Sequence, residues 1–281
     1  MTNPWLERRV LDYAHQGGAK EGPSSTLFAM RQAVDAGAEA LELDVHMTKD
    51  RVLVVCHDAT VDRTTEASGA IADLTLDELR QLDNAYWWVP GSVVDHDEAT
   101  PPEAYVHRGK AATDRDFRIP TLAEVLGEFP GVYLNFDIKQ TAPAVPAYET
   151  ALADELRKHD RIDGVIVASF NDASTDAIAK HAPEIATSYG TNGTADFYRA
   201  VRAGTPPPTA KHVALQVPRT FGEVVVVDER FVEVAHEAGV AVHVWTIDDE
   251  AEMELLLDAG VDAIMTDRPR TLEAVLRRRG L

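Results

Sequence analysis

Short apolar runs alternate with helical patterns along the whole chain. The runs are VLDYAH (10–15), ALELDV (40–45), VYLNFDIK (132–139), VIVASF (165–170), IATSYG (185–190), HVALQVP (212–218), VAVHVWTI (240–247) and AIMTD (263–267). Runs of this length, bounded by polar and glycine-containing stretches, read as strands. Between the first two, Leu27, Met30 and Val34 mark one face of a helix that begins near Thr26 and stops at Gly37. Thr75 with Glu78, and Thr121 with Glu124, have the spacing of capping boxes. DEAEMELLLDAG (249–260) predicts a further helix closed by Gly260. DAGAEALELD (35–44) returns as DAGVDAIMTD (258–267), with a looser copy in HEAGVAVHVWT (236–246). Each copy joins a helix end to a buried strand with a polar tip. A repeated junction of that kind belongs to parallel strands covered by helices.

VLVVCHD breaks the alternation. Only seven residues separate Asp44 from Val52, whereas a crossover to a parallel strand needs about a dozen or more. The segment around 52–56 is therefore expected to return antiparallel, as a hairpin turning at Thr48–Arg51. Setting it aside leaves eight strands, the number that closes a (β/α)8 TIM barrel, and one such domain over residues 1–281 is the expected fold. An open doubly wound sheet would carry a Gly-x-Gly-x-x-Gly loop after the first strand, and HQGGAKEG lacks that spacing. Residues 84–120, with Tyr86-Trp87-Trp88, Pro90-Gly91 and Pro101-Pro102, are too irregular for one βα unit. They read as an inserted loop or subdomain: either a lid, or a long loop with its aromatics packed onto the barrel.

Charge narrows the partners. A net charge of −20 argues against nucleic acid and anionic membrane surfaces. An anionic small molecule remains acceptable if cations gather locally. The single cysteine, Cys56, forms no intrachain disulfide, and with no signal-peptide core or 18-residue apolar window the expectation is a cytoplasmic protein without membrane insertion. Nothing in the sequence sets the oligomeric state.

Residues two apart on a strand share a face. Glu42 and Asp44 therefore face one way, and Leu41, Leu43 and Val45 the other. Two such carboxylates side by side are costly unless neutralised, and a hard divalent cation is the natural partner for their oxygens. A cap or an ion pair for Asp44 is the simpler reading of an isolated Glu-x-Asp. Here, however, Asp137 and Lys139 repeat the spacing at another strand end, where the lysine can hold a phosphate oxygen. His15 and His57 also end apolar runs, where barrel active sites form, and imidazole can take and return protons near neutral pH. Trp245 ends a strand as well, as a pocket wall or as core.

Taken together these residues resemble the glycerophosphodiester phosphodiesterases over most of the chain. AHQGG, PSST, ELDV, TKD, CHD and DRTT stand where that family has His-Arg-Gly, Pro-Glu-Asn-Thr, Glu-Leu-Asp-Val, Thr-Lys-Asp, His-Asp and Arg-Thr-Thr. SF (169–170), VWTID and GVDAIMTDRP (260–269) match further on. The resemblance implies a metal-dependent hydrolase that cleaves a glycerophosphodiester to glycerol 3-phosphate and an alcohol. It makes His15 and His57 the acid–base pair and Glu42, Asp44 and Asp137 the ligands of one Ca2+ or Mg2+, with Mn2+ as a third choice. Lys139, Gln16 and Trp245 would meet the substrate. Three departures stand out. Gln16 replaces arginine and removes a positive contact, with Lys20 and Arg63 as the candidate substitutes. Ser24-Ser25 replaces Glu-Asn, which reads as a change of helix cap. Asp137 replaces the commoner glutamate. The rival readings are lysophospholipase D-type action with Tyr86-Trp87-Trp88 gripping an acyl chain, a non-catalytic phosphate-ester binder, and a different oxygen-ligated barrel hydrolase.

Overall fold

The computed structural model describes residues 3–6, 10–93, 99–139 and 148–281. Strand β1 (Leu11–His15) leads through α1 (Leu27–Ala36) to β2 (Ala40–Met47), which pairs with β1 in parallel. Thr26 caps α1 by accepting from the Ala29 amide, and Gly37 ends it at φ 120°. β3 (Leu53–Val55) then folds back antiparallel on β2, with Val45 opposite Val55, as the short connection requires. The turn at Thr48–Arg51 is closed by Thr48 N to Val52 O at 3.0 Å.

The short helices α2 (Leu76–Leu79) and α3 (Leu122–Glu128) both begin in the expected capping boxes. Thereafter strand and helix alternate: β4 (Tyr133–Ile138), α4 (Glu149–Lys158), β5 (Val165–Ala168), α5 (Asp172–His181), β6 (Ala186–Thr187), α6 (Thr191–Ala203) and β7 (Ala214–Pro218). A small hairpin of β8 (Thr220–Phe221) and β9 (Val224–Val225) interrupts the pattern. It is followed by α7 (Glu229–Glu237), β10 (Ala241–Trp245), α8 (Glu250–Asp258), β11 (Ala263–Thr266) and α9 (Pro269–Arg279).

Eight parallel strands lie in the order β6-β5-β4-β2-β1-β11-β10-β7. The two ends meet at a parallel bridge between Ser188, just past β6, and Ala214 of β7. Val213 N to Thr187 O at 2.9 Å and Tyr189 N to Ala214 O at 3.0 Å complete this seam. The expected (β/α)8 barrel is the observed one.

Alternation along each strand sorts the side chains. Leu41, Leu43 and Val45 point outward and pack with α1, α3, α4 and α5. Leu215, Val217, Val242, Val244 and Ile264 do the same beneath α6, α7, α8 and α9. The inward positions change character from the N-terminal to the C-terminal ends of the strands. Leu11 and Tyr13 lead to His15, and Ala40 leads to Glu42 and Asp44. Ala263 and Met265 lead to Asp267, and Tyr133 and Asn135 to Asp137. Apolar side chains, with Trp5 among them, therefore fill most of the floor, around the buried His243, and the carboxylates collect at the mouth.

The inserted region packs on α1 through Ala85, Ala111 and Phe117, which gather at Phe28, while Ile119 joins Val54, Cys56, Val61, Ile71 and Leu79 in a separate cluster beside β3. Residues 94–98 of the expected 84–120 insertion lie outside the described residues. Its aromatics are tied down: the Trp87 indole N–H donates to Thr65 O at 2.6 Å and the Trp88 N–H to Ala19 O at 2.8 Å. Arg108 lies over Tyr105, Tyr86 and Trp87 at 3.8, 4.4 and 4.7 Å, a cation held by ring faces.

Candidate active site

The candidate site occupies one half of the barrel mouth, on four neighbouring strands, β4, β2, β1 and β11, and on the segment that follows β3. His15 ends β1, and the chain turns sharply behind it: Gln16, Gly17 and Gly18 have φ of 52°, 83° and 89°. Such backbone suits glycine. At Gly18 the need is doubled, because a Cβ there would lie 2.9 Å from Pro269 Cγ. The turn leaves Gln16 buried beside the imidazole.

His15 Nδ1 bonds Asp267 Oδ1 at 2.7 Å, and His15 Nε2 lies 3.8 Å from Glu42 Oε2. Burial alone would lower the His15 pKa. The hydrogen bond with Asp267 and the charges of Glu42, Asp267 and Asp44 outweigh it and raise the pKa to about 9. Asp267 is in turn fixed: Asp248 accepts from the Asp267 amide at 2.8 Å and from the Thr266 hydroxyl at 2.9 Å.

His57 follows β3 and is built on the same plan. Its Nδ1 bonds Asp58 Oδ1 at 2.6 Å, and Arg63 Nε donates to Asp58 Oδ2 at 2.6 Å. Those two bonds overcome the opposing effect of burial and hold the Asp58 carboxyl below its usual range. His46, inward-facing on β2, has Nε2 3.3 Å from the His57 carbonyl oxygen, and its pKa is lowered by burial. The two rings, His15 and His57, stand 6.2 Å apart, edge to face at 76°. With each Nδ1 engaged by an aspartate, Nε2 is the nitrogen each ring has left for proton transfer.

Between and beside the histidines lie the carboxylates. Asp44 and Asp137 are register partners on β2 and β4. Lys139 Nζ bridges them, 2.8 Å from Asp44 Oδ1 and 2.8 Å from Asp137 Oδ2. The approach to Asp44 is ionic rather than along a hydrogen-bond direction, and Asp44 Oδ2 and Asp137 Oδ1 are buried without a hydrogen-bond partner. Burial, and then the charge of Asp44, raises the Glu42 pKa to about 7. Burial likewise raises Asp137, against the pull of Lys139. Burial opposes the charge on Lys139, but Asp44, Asp137 and Glu42 together push its pKa up. The cluster is thus short of positive charge. Its donor chemistry, carboxylate oxygens only, suits a hard divalent cation. Among the described residues, however, no group of three or more histidine, cysteine, aspartate or glutamate side chains is arranged to hold a metal ion.

The departures from the family pattern acquire a structural meaning. Thr26, not Ser24 or Ser25, caps α1, so the reading of Ser24-Ser25 as a change of cap is corrected. The buried Ser24 hydroxyl donates to Gln16 Oε1 at 2.6 Å instead. This turns the carboxamide so that Nε2 lies 3.5 Å from His15 Nε2. Positions 16 and 24 are therefore partners, and they form a neutral pair. Lys20 is bonded to Asp248 at 2.6 Å, and Arg63 is engaged with Asp58. Lys139 is the cation set among the carboxylates.

Trp245, half-buried at the end of β10, meets Phe170 edge to face at 5.7 Å, and Phe170 lies 5.7 Å from Lys139 Nζ. The structure thus brings His15, Gln16, Glu42, Asp44, His57, Asp137 and Lys139 together, with Trp245 on the rim. Sequence reasoning missed Asp58, Asp267 and Ser24 as members of the site. The His-Asp and MTD motifs held the first two in plain view.

The C-terminal mouth is where (β/α)8 enzymes do their chemistry, and the chain is an enzyme of that architecture. The model of the glycerophosphoryl diester phosphodiesterase family matches residues 15–271. A glycerophosphodiester phosphodiesterase of Caldanaerobacter subterraneus subsp. tengcongensis is 32% identical over 97% of this chain and 100% of its own length. One from Bacillus subtilis is 29% identical over 93% of this chain and 84% of its own. Among solved structures, a glycerophosphoryl diester phosphodiesterase domain from Mycobacterium tuberculosis shares the fold with a TM-score of 0.76 at 20% identity, covering 96% of this chain and 100% of that one. An Oleispira antarctica phosphodiesterase, solved with the product sn-glycerol-3-phosphate, has a TM-score of 0.70 at 23% identity and covers 97% of this chain and 99% of that one. The chain belongs to the glycerophosphoryl diester phosphodiesterase family and is a phosphodiester hydrolase.

Proposed function

We propose that this protein hydrolyses glycerophosphodiesters to glycerol 3-phosphate and an alcohol, with His15 and His57 as the proton-transfer pair. The observation that carries the reading is the facing pair of imidazoles, 6.2 Å apart, each held at Nδ1 by its own aspartate. A bond forms from the attacking oxygen to phosphorus while the bond from phosphorus to the alcohol oxygen breaks. One imidazole takes the proton of the nucleophile, and the other donates a proton to the departing alkoxide. Asp267 and Asp58 keep the rings turned toward the substrate. Lys139 offers an ammonium to the phosphoryl oxygens, and the Gln16 amide a neutral donor beside it.

A divalent cation, Ca2+ or Mg2+, belongs to this reading. Glu42, Asp44 and Asp137 would hold it, and when bound it would neutralise charge on the phosphoryl oxygens. The support is chemical: buried oxygens of Asp44 and Asp137 without a hydrogen-bond donor, beside Glu42, whose pKa burial and then the charge of Asp44 raise to about 7.

The test is a panel of glycerophosphodiesters assayed with chelator and then with Ca2+, Mg2+ or Mn2+ restored. Turnover is expected to vanish with chelator, return with metal, and be lost in His15→Ala and His57→Ala. Turnover that survives the chelator would remove the metal from the mechanism, and turnover that survives both histidine variants would remove the mechanism itself.

A further inference from the structure

The mouth of the barrel has two unlike halves. The ionisable groups of the candidate site lie on or just past β4, β2, β1 and β11 and, for His57 and Asp58, on the segment that follows β3. The other half, from β5 around to β10, presents apolar side chains to solvent. Phe170, just past β5, is 57% exposed. β7 ends with Pro218 opposite Trp245 of β10. Beyond that pair the chain enters the β8–β9 hairpin, whose Phe221, Val224 and Val225 are 77%, 47% and 48% exposed.

The exposure is built in, because the hairpin is fixed by its backbone and not by burying its side chains. Thr220 pairs with Val225 and Phe221 with Val224, around Gly222 at φ 59°. The Arg202 guanidinium on α6 donates to Val225 O at 3.3 Å and Val226 O at 3.1 Å, and the Tyr198 hydroxyl donates to Val225 O at 3.5 Å. Val226 N closes back on Arg219 O at 2.9 Å. A phenylalanine and two valines held out on a braced hairpin mark an interaction site.

The charges around the hairpin say what kind of surface it meets. Arg202 is paired with Asp228 and Arg219 with Glu252, and the tip itself carries Glu223. With a net charge of −20 over the chain, an anionic surface is repelled. A neutral interface with insertable hydrocarbon is accepted.

We propose that the β8–β9 hairpin, with Phe170 and Trp245 on the same half of the mouth, docks the enzyme on zwitterionic phospholipid bilayers, with the catalytic half beside the headgroups. The inference takes its biological sense from the phosphodiesterase reading but is tested apart from it.

The experiment is cosedimentation of the full chain with phosphatidylcholine vesicles, for the wild type and for Phe221→Ser/Val224→Ser. Glycerophosphocholine turnover in free solution, size-exclusion elution and the melting temperature are measured in parallel. The wild type is expected to partition onto phosphatidylcholine vesicles and less onto vesicles containing phosphatidylserine. The double variant should lose at least tenfold in partition while its melting temperature and soluble turnover stay unchanged. Absence of wild-type partition, or equal partition by the variant, overturns the proposal. So does a wild-type dimer that the variant converts to monomer, which would make the hairpin a contact between copies. A chain that binds vesicles but hydrolyses no glycerophosphodiester would refute the catalytic reading and leave the docking surface standing.

Discussion

At the scale of single residues, each histidine of the proposed proton-transfer pair is held at Nδ1 by its own aspartate. Asp267 holds the imidazole in place and stabilises its charged form, so Asp267→Asn is expected to lower kcat about a hundredfold with a smaller effect on KM. The same variant should change stability in a pH-dependent way. Because the folded pKa of His15 lies above its ordinary value, the stabilisation from its charged form is complete below about pH 6.5 and is lost as the pH rises through about 9. The gap in melting temperature between wild type and Asp267→Asn should therefore be widest near pH 6 and close above pH 9. A gap that widens with pH would contradict the assignment.

Gln16 and Ser24 form the other residue-scale unit. Gln16→Arg alone places a guanidinium in a buried position where Ser24 offers no counter-charge. Adding Ser24→Glu should recover about 1–3 kcal/mol of coupling in a double-mutant cycle read by urea denaturation. Additive effects would mean that the two positions are not partners.

At the scale of elements, the reach of sequence reasoning can be followed strand by strand. The β2–β3 hairpin was legible because seven residues cannot make a parallel crossover, and the inward placing of Glu42 and Asp44 because a strand has a period of two. The β8–β9 hairpin was not foreseen. The expected strand stops at Pro218, and the Gly222-Glu223 turn between two-residue strands is the one signal of the hairpin in VPRTFGEVVVVD. Asp267 was visible as the tip of the repeated helix-to-strand junction, but its role comes from β11 lying beside β1. That contact spans 252 positions of sequence and exists only once the barrel closes. Ser24 was misread for a related reason: proximity to a helix start suggested a cap, while its real partner lies across the turn that follows β1. That turn can be tested directly. Gly18→Ala forces a side chain into the left-handed region and against Pro269, and should cost about 1–3 kcal/mol. An unaltered urea midpoint would show that the turn can relax.

At the scale of the whole molecule, a strongly acidic protein gathers still more acid at its reactive centre. A bound cation should therefore act on the fold as well as on turnover. Saturating Ca2+ or Mg2+ is expected to raise the melting temperature of the wild type, since a ligand at a hundred times its Kd stabilises by about 2.7 kcal/mol. Glu42→Gln should bind the ion more weakly by calorimetry and show a smaller rise. An equal rise in the variant would take Glu42 out of the ion's coordination.

The seam of the barrel sits across the circle from this chemistry. A wall held shut there by a two-residue strand and a single bridge is expected to be the part of the hoop that loosens first when the molecule is warmed. Amide deuteration should therefore begin around Ser188 and Ala214, while the strands that carry the histidines and acids remain protected. Thermal breathing of the cylinder would then fall on the far side from the histidines and acids of the proposed site.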